Sequence, residues 1–333
     1  MSVAKTGERT ARIRAYAKLN LGLRVLYKRP DGYHELRTVF QTISLADDLE
    51  ISFAPARSTR IEMHGTPEIP DNLAECAARL VMDAAGKQGA VILKLRKNIP
   101  AGAGLGGGSS DAAAVLLGLP VLAGVDLPME QLTSLAAQLG SDVPFFLFGG
   151  TALGLGRGEE LYPLPDQPPE RALLVVPAVH SSTADAYRDL SATLTAGAAA
   201  SLTNMALQNK LDSFRRGVWA GAAGKDKPII INDFEGVVLA RYPELTGIRE
   251  RLRQRGATRV AMTGSGSAIF GIFDNPGKLE RARLAWETQT ESREKVFSIS
   301  FVSRARYRGA WLRALSQYRK GDDTWPPRSR HAR

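Results

Sequence analysis

Residues 98–117, NIPAGAGLGGGSSDAAAVLL, run from an alternating strand through Pro100 and Gly102, Gly104, Gly106, Gly107 and Gly108 into an alanine-rich helix. Glycine lets a backbone adopt positive φ and approach an anion. The unpaired N–H groups of a first helical turn, with the helix dipole, add about half a positive charge. The stretch therefore reads as a phosphate seat. Ser109 and Ser110 are placed to cap the helix and to offer hydroxyls to a phosphate or to a Mg²⁺ shell, and Asp111 would sit in a first turn that favours an acid. The plainer alternative is a flexible loop with an ordinary cap, against which the strong helix behind the glycines argues.

Two other phosphate loops share parts of this pattern. Gly102, Gly104 and Gly107 satisfy G-x-G-x-x-G, with Asp126 roughly where a dinucleotide fold keeps its ribose carboxylate. That fingerprint opens a first βαβ unit, however, whereas here about a hundred residues of mainly strand come first and LPVLAGVD makes a poor second strand. The Walker pattern needs a lysine after the glycines, and residues 101–150 contain no Lys or Arg. Backbone amides, the dipole, a metal and a distant cation must then share the neutralisation.

Outward from the loop, ARIRAYAKLNLGLRVL, TVFQTISLADDLEISF and VILKLRKNI read as strands, and NLAECAARLVMDAAG as a helix capped by Asp71 or Asn72 and stopped by Gly86. After it, MEQLTSLAAQLG is helical and SDVPFFLFGGTALGLG turns back into strand. The proline cluster YPLPDQPPE marks a domain boundary. Beyond it come a strand, RALLVVPAV, a helical alanine-rich stretch to about 240 with an exposed Gly and Lys loop, and a glycine-linked hairpin, ATRVAMTGSGSAIFGIFD. The class is α+β, divided as 1–163, 164–303 and a basic extension 304–333.

The chain has 333 residues, 44% of them hydrophobic, enough for a full core without staples. Its single Cys76 cannot form an internal disulfide and is expected as a buried small hydrophobe. The net charge of +10 is concentrated at the ends: residues 304–333 carry +7, residues 1–14 carry +3, and the body between is neutral. A nucleic-acid reader would place its basic face on the folded part, interleaved with aromatics, so no nucleic-acid partner is expected. The basic tail is expected as a solvated or partly docked extension. No apolar run approaches a membrane span, and a cytoplasmic location without membrane contact follows as an expectation.

The run PAGAGLGGGSSDAAA resembles the glycine-rich motif of the GHMP kinases, a family named for galactokinase, homoserine kinase, mevalonate kinase and phosphomevalonate kinase. Two further family motifs stand in order, AKLNLGL and MTGSGSAIFGIF, and the resemblance covers about residues 12–302. It implies a two-domain GHMP kinase fold: an N-terminal ribosomal-protein-S5-domain-2-like nucleotide-binding domain and a C-terminal ferredoxin-like α/β sandwich. AKLNLGLRVLYKRPDGYHEL, the triple-glycine loop, LGSDVPFF and INDFE are most similar to members that phosphorylate a cytidine-diphosphate sugar alcohol of the non-mevalonate isoprenoid pathway. A mevalonate or homoserine type of GHMP kinase is the alternative. A non-catalytic binding protein that keeps the loop is a further one, against which Lys18 together with Asp142 speaks.

Phosphoryl transfer to an alcohol needs positioning, charge stabilisation and a group that orients or takes the hydroxyl proton. Asp142, between a helix end and an apolar strand, reads as a cap, a salt-bridge partner or a base. The resemblance makes Asp142 and Lys18 the catalytic residues, with ATP and Mg²⁺ as phosphate donor and screen and no side chain assigned to the metal. It further implies ATP binding by Pro100, Ala101, Gly102, Ala103, Gly104, Leu105, Gly106, Gly107, Gly108, Ser109 and Ser110. Tyr33 would stack on the cytosine, His34 would bond its polar edge, Tyr187 would form a second wall and Thr183 a polar contact. Asn20, two residues from Lys18 on a strand, would share its face and bind the substrate by a hydrogen bond to the acceptor. Gly264, Ser265 and Gly266, in a motif running from Thr263 to Ser267, would close over the phosphates or the acceptor. Asn232 and Asp233 read as structural caps, and the protein as a monomer or weak homodimer.

Overall fold

The computed structural model describes residues 7–66, 70–179, 181–198, 208–214, 230–288 and 293–319. Two long strands, β1 (Arg9–Lys28) and β2 (His34–Pro55), pair antiparallel along nearly their whole length. They carry a seven-stranded sheet of order β3-β4-β2-β1-β8, with β5 and β6 added on β2. Here β3 is Arg60–Thr66, β4 Gly89–Arg96, β5 Thr151–Leu155, β6 Glu160–Pro163 and β8 Ile231–Asn232. Between the parallel strands β3 and β4 lies α1 (Leu73–Ala85), capped by Asn72, whose side chain accepts from the Ala74 N–H, and ended by Gly86 in a left-handed conformation. Cys76 in α1 is half-buried rather than fully buried, because it flanks the apolar stripe of Ala74, Ala77, Ala78 and Val81.

Helix α2 (Gly107–Ala123) is apolar on nearly all sides and runs through the N-terminal core, against β1, β2 and α1; α3 (Met129–Leu139) packs beside it. The stretch expected to turn straight back into strand instead forms a one-turn helix, α4 (Phe145–Phe148), before β5. A short apolar run has no periodicity that separates strand from buried helix, and Pro144 at its head favours the helical turn.

The second sheet has the order β11-β7-β10-β9 with every neighbour antiparallel. Its strands are β7 (Arg171–Val176), β9 (Arg259–Met262), β10 (Ile269–Phe273) and β11 (Lys295–Ser300). With the helices α5 (Thr183–Ala198), α6 (Glu235–Arg241), α7 (Glu244–Gln254) and α8 (Pro276–Glu287), this is the βαββαβ order of a ferredoxin-like sandwich. β7 is apolar on both sides because both sides are covered. Leu173 and Val175 face the helices, while Ala172, Leu174 and Val176 face Leu19, Ile43 and the glycine loop of the first domain. The alanine-rich stretch is helical over 183–198 and again over 208–214; the expected Gly and Lys loop and the tail beyond 319 lie outside the described residues.

The chain returns twice to the first domain. Ile231 and Asn232 pair with Gly22 and Leu23, and α9 (Arg304–Leu315) buries Tyr307, Trp311 and Leu315 in the N-terminal core. The start of the expected extension is thus a docked helix whose apolar residues recur every four positions, a pattern masked in the sequence by its arginines. Among the described residues, no helix is long and apolar enough to cross a membrane.

Candidate active site

The glycine loop is held by its own alternation. Ala103 and Leu105 are buried in the core between the two sheets, so these two side chains anchor the loop rather than face a ligand. Gly104 and Gly106, with φ of 77° and 69°, turn toward the open side. The Lys18 N–H donates to the Leu105 carbonyl at 3.0 Å, fixing the loop on β1. At Gly104 a Cβ would stand 2.5 Å from the Thr263 carbonyl, so the loop and the β9–β10 turn can meet backbone to backbone only while both stay small.

Helix α2 starts at Gly107, two residues before the first of the serines expected to cap it. Gly106 occupies the cap position without a side-chain bond, and Ser109 and Ser110 lie inside the first turn. The N–H groups of Gly107, Gly108 and Ser109 have no intrahelical acceptor at this helix start. Ser110 is not a phosphate ligand in this geometry: its N–H donates to the Gly106 carbonyl and its buried hydroxyl to the Tyr16 carbonyl, at 2.7 Å. Asp111 lies past the first turn and points behind the loop, 2.7 Å from Lys97. Lys97 also bonds Asp47, which accepts the N–H groups of Asn98 and Ile99 where the chain enters the loop. Burial raises the Asp111 carboxyl to about 7, opposed by Lys97 and reinforced by Asp47. Lys97 thus stands at the back of the loop, engaged by two carboxylates.

In front of the loop lies a cavity of about 800 Å³. It brings together Lys18, Asn20, Tyr33, His34, Asp142, Thr183, Tyr187, Gly264, Ser265, Gly104, Gly106 and Ser109 from segments far apart in sequence. Pro100, Ala101, Gly102, Gly107, Gly108 and Gly266 do not line it. Asp142 sits in the turn between α3 and α4, not before a strand, and its Oδ2 is 3.3 Å from Lys18 Nζ. Lys18 Nζ also donates to Asn20 Oδ1 at 2.7 Å and lies 5.5 Å from the centre of the Phe40 ring. Asn20 cannot swing, because its Nδ2 donates to Thr38 Oγ1 at 2.7 Å and its N–H to Thr263 Oγ1 at 3.0 Å. A buried ammonium thus meets a partly open carboxylate with one amide oxygen fixed between β1 and β2.

At the far end, Tyr33 is 53% exposed and its ring is covered by the Arg157 guanidinium, 4.6 Å from the centroid. His34 stacks on Tyr187 with centroids 4.9 Å apart, and Tyr187 meets Phe234 edge-on. Burial lowers the His34 pKa, with Lys28 acting in the same direction, and burial raises that of the Tyr187 phenol, with the Asp142 charge adding to it. Ser191 Oγ donates to the Tyr187 carbonyl, so in its 2.8 Å contact with His34 Nε2 it is the acceptor. A neutral His34 then carries its proton on Nε2 and leaves Nδ1 as an acceptor. Thr183 Oγ1 is 2.8 Å from Ser265 Oγ, which ties α5 to the β9–β10 turn. The Asn232 Nδ2 holds the same turn through the carbonyls of Met262 and Gly264, while Asp233 binds Arg24 and Lys210. Both residues are structural, though as cross-links more than as caps. Sequence reasoning passed over Thr38, Phe40, Ser141 and Arg157, all of which line the cavity. Thr38 and Phe40 share a strand face opposite Lys18 and Asn20, and Arg157 is a lone cation between Gly156 and Gly158; both signals were available.

The chain matches the family described as GHMP kinases N terminal domain over residues 72–150, and GHMP kinases C terminal over residues 220–291. It is 52% identical over 324 residues to a 4-diphosphocytidyl-2-C-methyl-D-erythritol kinase of Solibacter usitatus, covering 97% of this chain and 98% of the relative. A protein of the same name from Moorella thermoacetica is 44% identical, covering 78% of this chain and 88% of the relative. Among solved structures, a 4-(cytidine 5'-diphospho)-2C-methyl-D-erythritol kinase superposes with TM-score 0.68 at 38% identity, covering 86% of this chain and 98% of that one. A homoserine kinase from Cytophaga hutchinsonii, at 15% identity and TM-score 0.66 with 91% and 97% covered, shares the fold.

Proposed function

The chain belongs to the GHMP kinase family, and we propose that its cavity transfers the γ-phosphate of ATP to the 2-hydroxyl of 4-diphosphocytidyl-2-C-methyl-D-erythritol, yielding ADP and the 2-phosphate. This is a step of the non-mevalonate, or methylerythritol phosphate, isoprenoid pathway. The observation that carries the reading is that one cavity joins a Lys18–Asp142 pair at the start of α2 to an aromatic end formed by Tyr33, His34 and Tyr187. A kinase for a nucleotide-tagged alcohol needs both.

Asp142 accepts the hydrogen bond of the acceptor hydroxyl and takes or orients its proton, while Lys18 keeps the carboxylate ionised and faces the charge on the transferring group. Asn20 holds the ammonium in place. The free N–H groups of Gly107, Gly108 and Ser109 receive phosphate oxygens. Among the described residues no three His, Cys, Asp or Glu side chains converge on a metal site, and Asp111 is engaged by Lys97. The donor set fits Mg²⁺ brought in on the triphosphate, with the Ser109 hydroxyl as the protein group that meets it and phosphates and water supplying the rest. Bound there, the ion screens the triphosphate charge.

The cytosine stacks on Tyr33 by displacing the Arg157 guanidinium, which then lies beside the diphosphate. His34 Nδ1, an acceptor, suits an exocyclic amino group. ADP release measured with the cytidylated alcohol, the uncytidylated sugar alcohol phosphate, mevalonate and homoserine tests the reading. Turnover is expected with the first alone, and preference for mevalonate or homoserine would overturn it.

A further inference from the structure

Helix α9 is built into the underside of the catalytic turn. Tyr307, Trp311 and Leu315 are at most 1% exposed and belong to the core that includes Tyr16, α2 and Phe145–Leu147. The Tyr307 ring packs on Tyr16 at 5.7 Å and lies so close to Gly149 that a Cβ there would collide with it. Burial keeps its phenol protonated, and the hydroxyl donates to the Phe146 carbonyl at 2.5 Å. Arg304 anchors the start of α9: its N–H donates to the Asp166 carboxylate and its guanidinium to the carbonyls of Leu164 and Thr151.

The turn thus supported, α4, is linked to the reacting groups by three routes. Asp142 lies three residues before it. Phe145 packs on Phe40 with centroids 4.9 Å apart, and Phe40 is the ring below Lys18 Nζ. The Phe146 ring bounds Gly106, where a Cβ would meet it at 2.9 Å and Lys18 Cγ at 3.2 Å. A single helical turn has almost no ladder of its own, so its placement is set by what it packs against.

We propose that Tyr307 is a positioning residue for phosphoryl transfer: through the Phe146 carbonyl it holds α4, and with it Asp142 and the aromatic floor of Lys18, in the reactive arrangement. The proposal rests on the reading of Asp142 as the group that handles the acceptor proton. On it, the segment after Val302 belongs to the catalytic machinery's support and is not an accessory to it.

The test is a double-mutant cycle on the full chain, comparing wild type, Tyr307→Phe, Asp142→Asn and the double variant by kcat, by KM for ATP and for the cytidylated alcohol, and by urea unfolding. Tyr307→Phe keeps the ring in the core and removes one donor from a buried carbonyl. It should lower kcat about fivefold, with both KM values within about twofold, as expected for a lost buried hydrogen bond expressed at the turn. In the Asp142→Asn background the same change should cost no further kcat, because its effect passes through Asp142. Unchanged kcat in folded Tyr307→Phe, or the same fivefold loss in both backgrounds, overturns the positioning role while leaving the Asp142 reading intact. Wild-type turnover in Asp142→Asn overturns that reading and the proposal with it.

Discussion

Lys18 and Lys97 both meet carboxylates beside the start of α2, one in front of the phosphate loop and one behind it. Lys97 has two acid partners, Asp47 and Asp111, whose side chains are at most 2% exposed. Asp47 also accepts the N–H groups of Asn98 and Ile99. Lys18 has one acid partner, at 3.3 Å, and that carboxylate is 34% exposed into the cavity. The rear group is closed: its charges are spent on one another and on the backbone that enters the loop. The front pair is open, with a fixed cation and a carboxylate that still faces the cavity, which is what a substrate requires. Proximity of charges alone does not mark a catalytic pair; remaining access does.

The contrast breaks most readily at Asp142. Asp142→Asn keeps the shape and removes the charge and the proton acceptor, and kcat should fall on the order of 10²–10⁴-fold, with nucleotide affinity nearly unchanged by titration. Lys97→Met should do the reverse. It strands two buried carboxylates, so urea unfolding should show a loss of about 3 kcal/mol, the low end for a broken buried pair. A larger loss of turnover than of stability would place Lys97 with the front pair.

Asp111 sharpens the comparison through pH. Its carboxyl is raised from 3.8 to about 7 in the folded state, with burial the main cause, so between those values the folded protein holds a proton that the unfolded chain has lost. Stability that depends on this group is then largest at low pH and declines as pH rises through the window, at no more than about 1.4 kcal/mol per unit. Asp111→Asn should lack that slope, which unfolding at a series of pH values will show. The smallest effect is expected at the exposed end: Tyr33→Ala should weaken binding of the cytidylated alcohol by about 1–3 kcal/mol, with ATP binding unmoved.

Much of this was legible before any coordinates, for identifiable reasons. Backbone demands write themselves as glycines, so the phosphate loop and the β9–β10 hairpin could be read, and Asn72 with Gly86 bounded α1. Period-two spacing put Lys18 and Asn20 on one face. What sequence could not give was the direction of side chains at a helix start whose cap is a glycine. Ser109 faces the cavity and Ser110 turns to Tyr16, though the two are neighbours. Nor could composition show that the arginine-rich segment after 303 buries a tyrosine and a tryptophan, since charge hid their spacing. Arg157 has no periodicity to mark it, and its only sequence signal is its place between Gly156 and Gly158.

The central claim is that Lys18 and Asp142 act as one unit, and turnover of Lys18→Met, Asp142→Asn and the double variant under saturating ATP and cytidylated alcohol tests it directly. Each single change should depress kcat strongly, and the double variant should be little worse than the poorer single one, because either loss already disables the pair. Losses that multiply in full would contradict the account, leaving Lys18 and Asp142 as independent contributors.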